Sequence, residues 1–393
     1  MKICGVIAEY NPFHNGHRYQ LSEARRLSGC DWLIVCMGGA FSQRGEVMLL
    51  DKWTRARMAL ENGADMVVEL PALFAVRSAD AFALGGVRTL AGLGATDISF
   101  GCETDDLPLL NRILDAMEQE DDELRTAIRL RLDQGKSHVR ARGEAVAEKL
   151  HLPEEVISLP NTALALEYLR VNRHLERPMD IHIVHRAQGY HDTALHELSS
   201  ASAIRSAVYE CTFEAVRPAM PASAFSLLES SCPGRIADMS QLDALLIDRL
   251  RTLGSAGIAN LPDVSEGLEM RAGKCALTSG SRDSLLDALK CKRYTHARLS
   301  RLCAHALLGL TGGLAKNYAF PRYARVLGFR AEAKPLVTHV SNQPLPLITR
   351  PALLKEDEAF RIERRATDLQ SLCFPDEAAR SANRDLTERM IVI

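Results

Sequence analysis

The chain is short of aromatic side chains, of net charge and of paired cysteines. Aromatics make up only 5% of its 393 residues. That is too few for a broad platform on which single-stranded nucleic acid could stack, although other forms of RNA binding stay open. The formal net charge is −2, so no whole-molecule field steers the protein to polyanions and any nucleic-acid footprint must be local. Ten cysteines (Cys4, Cys30, Cys36, Cys102, Cys211, Cys232, Cys275, Cys291, Cys303, Cys373) include no CxxC pair. Scattered, and often inside apolar runs, they read as buried thiols in a reducing cytoplasm. No apolar run approaches the roughly 18 residues of a membrane span, and the N-terminus is not a charged-then-apolar signal segment, so a cytosolic protein without membrane contact is expected. Apolar residues form 47% of the chain, which excludes a disordered or fibrous protein and at this length predicts two or three packed domains.

What the chain does have is concentrated at its start, MKICGVIAEYNPFHNGHRYQ. Lys2 to Ala8 cluster apolar residues as a buried parallel strand does. A turn carrying Asn11 to His17 follows, and then an amphipathic helix with Tyr19, Leu21, Ala24 and Leu27. A helix N-terminus offers unpaired N–H groups and partial positive charge, which suit a phosphate. Gly16 lets backbone approach a ligand, and His14 and His17, three apart, can point the same way. Further strands are expected at Asp31–Cys36, Met66–Leu70, Thr96–Phe100 and Asp180–His185, with helices at Lys52–Asn62, Ser78–Leu93 and Thr162–Arg173. Five-residue strands alternating with helices describe an α/β doubly wound parallel sheet.

Later features acquire meaning from that frame. Gly101 falls at the carboxyl end of its strand, where ligands collect in such sheets. Asn161 opens a helix, for which capping alone is a sufficient reason. Ser199, Ser200 and Ser202 precede another helix with Arg205 one turn in. This is a capping arrangement if alone, and a holder for the leaving pyrophosphate if set opposite the histidines. His182 and His185, three apart on an extended strand, face opposite sides, so no metal held by protein side chains is expected. From about residue 210 the texture becomes helical, with short apolar segments only at Leu336–Val340, Pro346–Thr349 and Met390–Ile393. Between Arg282 and Lys334 there are 11 Lys or Arg against 3 acidic residues. Such an island suits a phosphate backbone, or else is a solvated helical face.

Together these segments are similar to a known family. GVIAEYNPFHNGH (5–17), FSQRGEV (41–47), GADMVVELP (63–71), FGCE (100–103), LPNTALALEYL (159–169), HRAQGYHD (185–192), SSASAIR (199–205), KRYTHARLSR (292–301) and RVLGF (325–329) resemble the bacterial tRNA(Met) cytidine acetate ligases, members of the HxGH nucleotidyltransferase superfamily. The resemblance implies a Rossmann-like nucleotidyltransferase domain over residues 1–210 for ATP and acetate. It implies a mainly helical domain with short strands over 211–393 for elongator tRNA(Met). The implied reaction activates acetate as acetyl-adenylate, releasing pyrophosphate, then acetylates N4 of the wobble cytidine, releasing AMP.

By the same resemblance, ATP contacts fall on Ile7, Ala8, Glu9, Tyr10, Asn11, Pro12, Phe13, His14, Asn15, Gly16, His17, Arg18, Tyr19 and Gln20, then Gly101, Asn161, Arg186, Ser199, Ser202 and Arg205. His14 and His17 are the expected catalytic pair, stabilising the phosphoryl transition state, with Mg²⁺ bridging the leaving phosphates. Ser202 stands where threonine is common in the family and keeps the hydroxyl. His185 stands where a lysine often precedes the arginine and removes a fixed charge. Lys290, Lys292, Arg293, Arg298 and Arg301 are the expected tRNA contacts. Two rivals remain open from sequence: a small-molecule adenylyltransferase making a coenzyme precursor, and a non-catalytic RNA-binding protein on a relic nucleotide fold.

Overall fold

The computed structural model describes residues 1–186 and 200–393. A sheet of eight strands organises it. The first five are parallel: β1 (Ile3–Ala8), β2 (Trp32–Gly38), β3 (Met66–Leu70), β4 (Asp97–Cys102) and β5 (Asp180–His185), in the spatial order β5-β4-β1-β2-β3. Helices α1 (Asn15–Ser28), α2 (Lys52–Glu61), α3 (Ala79–Gly92) and α4 (Pro160–Arg173) lie in the connections between them. Because β2 and β4 flank β1 on opposite sides, the strand order reverses at β1. The crevice above its carboxyl end is where such a sheet receives ligands. The expected Rossmann-like α/β fold is therefore present, with its boundaries shifted by one or two residues.

Strand alternation explains why both faces are buried. Ile3, Ile7, Ile34, Cys36, Met66 and Val68 join one apolar core, and their neighbours Cys4, Val6, Leu33, Val35 and Val67 join the other. Successive side chains of a strand point to opposite faces, so a sheet covered on both sides reads as a continuous apolar run. Both cores also take in residues beyond position 210. Leu302, Leu307 and Leu336 contribute to the first, and Phe225, Leu228 and Leu327 to the second.

Beyond β5 come α5 (Ala201–Tyr209) and a run of helices that includes α6 (His296–Leu308). The chain then returns to the sheet. Strand β6 (Ala324–Phe329) pairs antiparallel with β3, β7 (Leu347–Ile348) adds to β6, α7 (Glu358–Leu372) follows, and β8 (Ile391–Val392) pairs with β6. β6 is absent from the sequence expectation because Arg325 breaks its apolar run. That guanidinium is buried between Glu69 (2.9 Å) and Asp385, while Lys52 bonds Glu69 at 2.6 Å and Asp385 at 2.5 Å. Two buried cations and two buried carboxylates thus offset one another's charge and join α2, β3, β6 and the C-terminal segment. The segment Leu336–Val340, expected among the short apolar strands, is instead helical over Lys334–Val340. Its apolar residues stand four apart, and Pro335 sits in the first turn, where a helix tolerates proline. Among the described residues no helix is long and apolar enough to cross a membrane, and all ten cysteines are free thiols.

Candidate active site

The turn after β1 is held from several directions. Tyr10 adopts a left-handed backbone (φ 52°), uncommon for a residue with a side chain. The turn is fixed partly through apolar packing, since Tyr10 and Phe13 are buried with their rings edge to face at 4.8 Å. Asn11 accepts from the Leu49 N–H at 2.8 Å through Oδ1. Beneath lies Arg55 of α2, fully buried, whose guanidinium donates, among the described residues, to main-chain oxygens alone: Glu9 (2.6 Å), Gly38 (3.0 Å), Leu50 (3.0 Å) and Gly39. It gathers the carboxyl ends of β1 and β2 and the following loop onto one planar fork.

The two histidines form the start of α1. His14 is the N-cap, and its Nδ1 accepts the Gly16 N–H at 3.0 Å. Reciprocally, Nδ1 of His17 accepts the His14 N–H at 3.2 Å. This is a capping box built from imidazoles. The rings lie 3.7 Å apart, centroid to centroid, tilted by 33°. A nitrogen that accepts a hydrogen bond carries no proton, so each ring is the neutral tautomer with N–H at Nε2. Burial, with Arg186 adding to it, drives His14 down to about 3. Burial, then His14, then Arg186 hold His17 well below its ordinary value. Near neutral pH both therefore act as hydrogen-bond donors and not as cations or bases.

Arg186 acts electrostatically on both rings, and it lies against Gly101: a Cβ at that glycine would stand 2.9 Å from the arginine Cδ. The glycine lets the arginine stem cross the end of β4. Arg186 also continues the strand pairing, its N–H donating to Cys102 O at 2.8 Å. From the other side, Arg205 of α5 donates to Asn11 O at 2.9 Å, and Asn15 donates to Pro218 O at 2.8 Å. Ser200 caps α5, and its hydroxyl lies 2.9 Å from that of the exposed Ser202. His14, His17, Gly101, Arg186 and Arg205 thus converge on one crevice, while Ser199 lies outside the described residues.

Asn161 has a different immediate partner. Glu103, after β4, accepts from Asn161 N–H (3.2 Å) and Nδ2 (2.6 Å) through Oε1, and from Thr162 N–H (2.7 Å) and Oγ1 (2.9 Å) through Oε2. It neutralises the N-terminus of α4. Glu103 and Arg55 are the organising residues that sequence reasoning missed. Glu103 was within reach through FGCE, but nothing in α2 distinguishes Arg55 from a surface arginine.

The loop of residues 41–47 packs against the end of β1 and the helix α6. Phe41 and Val47 bridge its ends, and its tip, Gly45 (φ 79°), packs where a Cβ would lie 2.8 Å from the Arg301 backbone. Gln43 binds Glu9 through its N–H (2.5 Å) and Arg77 O through Nε2 (2.8 Å), and accepts from Arg301 Nη1 at 3.5 Å. Arg301 is consequently buried, and Arg298 is engaged with Asp263 O, Ser265 and Glu266. Of the five expected tRNA contacts, Lys290, Lys292 and Arg293 are exposed. Among the described residues no three His, Cys, Asp or Glu side chains gather to hold a metal, and His182 is hydrogen-bonded to Asp97 at 2.6 Å. His14, Arg186 and Arg205 thus bring hydrogen-bond donors to the carboxyl end of β1.

Residues 1–385 match the family described as HIGH Nucleotidyl Transferase. The tRNA(Met) cytidine acetate ligase of Acetivibrio thermocellus is 33% identical over 100% of both chains. That of Latilactobacillus sakei is 40% identical over 84% of this chain and 82% of its own. The crystal structure of Thermotoga maritima TmcAL bound with alpha-thio ATP superposes with a TM-score of 0.91 at 31% identity, and the apo form I with 0.93 at 31%, each covering 100% of both chains.

Proposed function

The chain belongs to the HIGH nucleotidyl transferase family and, within it, to the tRNA(Met) cytidine acetate ligases, and from that membership we propose that it ligates acetate to cytidine in tRNA at the expense of ATP. Acetate is already an anion at neutral pH and needs no activation as a nucleophile. The obstacle is bringing it to a second anion and stabilising the charge on the five-coordinate phosphorus. The observation that carries the proposal is the imidazole capping box: two neutral Nε2–H donors at a helix N-terminus, with Arg186 beside them. Those donors would hold the oxygens of the α-phosphate as acetate displaces pyrophosphate. Arg186, Arg205 and Ser202 would take the leaving phosphates, and Gly101 and Asn161 would position the nucleoside. Asn161 would do so by exchanging its bond to Glu103.

Mg²⁺ would enter with the incoming MgATP, since Glu103 has both oxygens engaged by α4. In the second half-reaction the cytidine N4 takes the acetyl group and AMP leaves. Residues 211–393 would present the wobble cytidine of elongator tRNA(Met), with Lys290, Lys292 and Arg293 on its phosphates. A cytoplasmic location follows from a tRNA substrate.

The decisive experiment incubates the protein with ATP, isotope-labelled acetate and tRNA and analyses the nucleosides by mass spectrometry. Labelled N4-acetylcytidine is expected, together with exchange of pyrophosphate into ATP that requires acetate. Exchange driven by a nucleotide or phosphopantetheine-like acceptor and not by acetate would replace this function with coenzyme-precursor synthesis.

A further inference from the structure

Two carboxylates stand at the carboxyl edge of the sheet in opposite circumstances. Glu103 has both oxygens occupied by Asn161 and Thr162. Burial there opposes ionisation, but those hydrogen bonds outweigh it and hold the carboxyl below its ordinary value. Glu9, which follows β1 directly, is anchored by Oε1 alone, to the Gln43 N–H at 2.5 Å. Among the described residues no donor reaches its Oε2. Arg55 of α2, Arg205 of α5 and Arg44 of the 41–47 loop surround it with positive charge, and the Tyr168 phenol of α4 senses it as well. Burial raises its affinity for a proton, and the Gln43 N–H and the three arginines pull it back only in part. A carboxylate that keeps one oxygen without a donor can take up a proton, whereas one with both oxygens occupied is held ionised.

The proposed reaction needs such a group. The cytosine amino lone pair is delocalised into the ring, and the nitrogen becomes strongly acidic as its bond to carbon forms. His14 and His17 cannot take that proton, since Nδ1 of each is held by a backbone N–H and Nε2 already carries one. We propose that Glu9 is the proton acceptor of the acetyl-transfer step, a role that rests on the function proposed above. The N4 lone pair adds to the acetyl carbon of acetyl-adenylate, and the N4 proton passes to Glu9 Oε2. The bond from that carbon to the phosphate oxygen then breaks, and AMP departs with the electron pair. Glu9 returns the proton to water once the products leave. The anchoring loop is itself fixed to α6 through Gly45 and Arg301, so the carboxylate is aimed before tRNA arrives.

The test compares wild type with Glu9→Gln in two assays: acetate-dependent pyrophosphate exchange, and single-turnover acetyl transfer to tRNA. Loss of a general base costs about 10²–10⁴-fold. The variant should therefore lose transfer by that factor over and above whatever it loses in exchange, where Glu9 also borders the ATP. Wild-type transfer should decline toward acid pH as Glu9 takes up a proton, and that decline should vanish in the variant. Wild-type transfer rates from Glu9→Gln, or equal losses in both assays, would overturn the proposal. If Glu9→Gln does not fold, a wild-type transfer profile without an acid limb overturns it equally. A wild type that exchanges no pyrophosphate with acetate present would instead bring down the function itself, and this role with it.

Discussion

Arg205 donates to the main-chain oxygen of Asn11 at 2.9 Å across 194 positions of sequence. The hydrogen bond ties the helix that carries the serine-arginine motif to the turn that carries the histidines. Two motifs separated by half the chain are thereby joined at the end of β1.

Replacing Arg205 with Ala should lower acetate-dependent pyrophosphate exchange at least tenfold, while removal of one partly exposed hydrogen bond costs about 1 kcal/mol of stability. Arg205→Lys should recover part of the rate through its charge. Exchange kinetics and urea denaturation of the same preparations separate the two effects. Undiminished exchange in Arg205→Ala would remove the arginine from the site.

His14→Ala and His17→Ala should each abolish acetyl-adenylate formation and leave a folded protein. The histidines also set an acid sensitivity. In the unfolded chain they take up protons near pH 6.5, whereas the folded protein withholds protonation of His14 until about 3 and of the buried His305 until about 4. Below pH 6.5 the unfolded state therefore binds more protons, and stability falls as pH falls. The urea midpoint should be lower at pH 5.5 than at pH 7.5, and the gap should narrow in His305→Gln. An equal or higher midpoint at pH 5.5 would contradict the neutral, buried state of these rings.

Arg55→Met should be among the most damaging substitutions in the molecule. It leaves the carbonyls of Glu9, Gly38, Gly39 and Leu50 buried without the guanidinium donor. Stranded buried acceptors cost about 1–3 kcal/mol each, so a loss of roughly 3 kcal/mol or more is expected. Arg55→Lys should fail to rescue, because an ammonium cannot reproduce the fork. Denaturation midpoints decide the matter, and a lysine variant as stable as wild type would show that charge alone suffices.

The basic residues should split into two classes. Lys292→Gln with Arg293→Gln should weaken tRNA binding and reduce the slope of its logarithmic salt dependence by about 0.9 for each phosphate no longer neutralised. Arg301→Ala should instead slow single-turnover acetyl transfer at saturating tRNA, because it loosens the loop that anchors Glu9. If Arg301→Ala altered only tRNA affinity, the buried hydrogen bond to Gln43 would have no bearing on the site.

The division between what the sequence shows and what it hides is physical. β1 to β4 are legible because burial on both faces writes them as largely apolar runs, and the histidine turn is legible because its residues are consecutive. Glu103 and Arg55 act through partners distant in sequence or through main-chain atoms, which leave no periodic trace. Arg325 conceals β6 for the converse reason: a charge signals solvent unless its counter-charges, here Glu69 and Asp385, are known to wait beside it. The basic island between Arg282 and Lys334 looks uniform as a string. In three dimensions Arg301 and Arg325 face inward and Arg298 is engaged, while most of the rest face water.

The pairing of β6 with β3 also sets a timetable. Glu69 and Arg325 are 256 positions apart. A ribosome adding about 5–20 residues per second takes roughly 13–50 s to pass from one to the other. For that interval β3 is a bare edge that any neighbouring nascent strand could extend, and the Lys52–Glu69 pair lacks its second cation. The sheet opened by the first residues to emerge is closed only after position 329 is free, so a chain arrested before that point carries the whole histidine turn on an unfinished sheet.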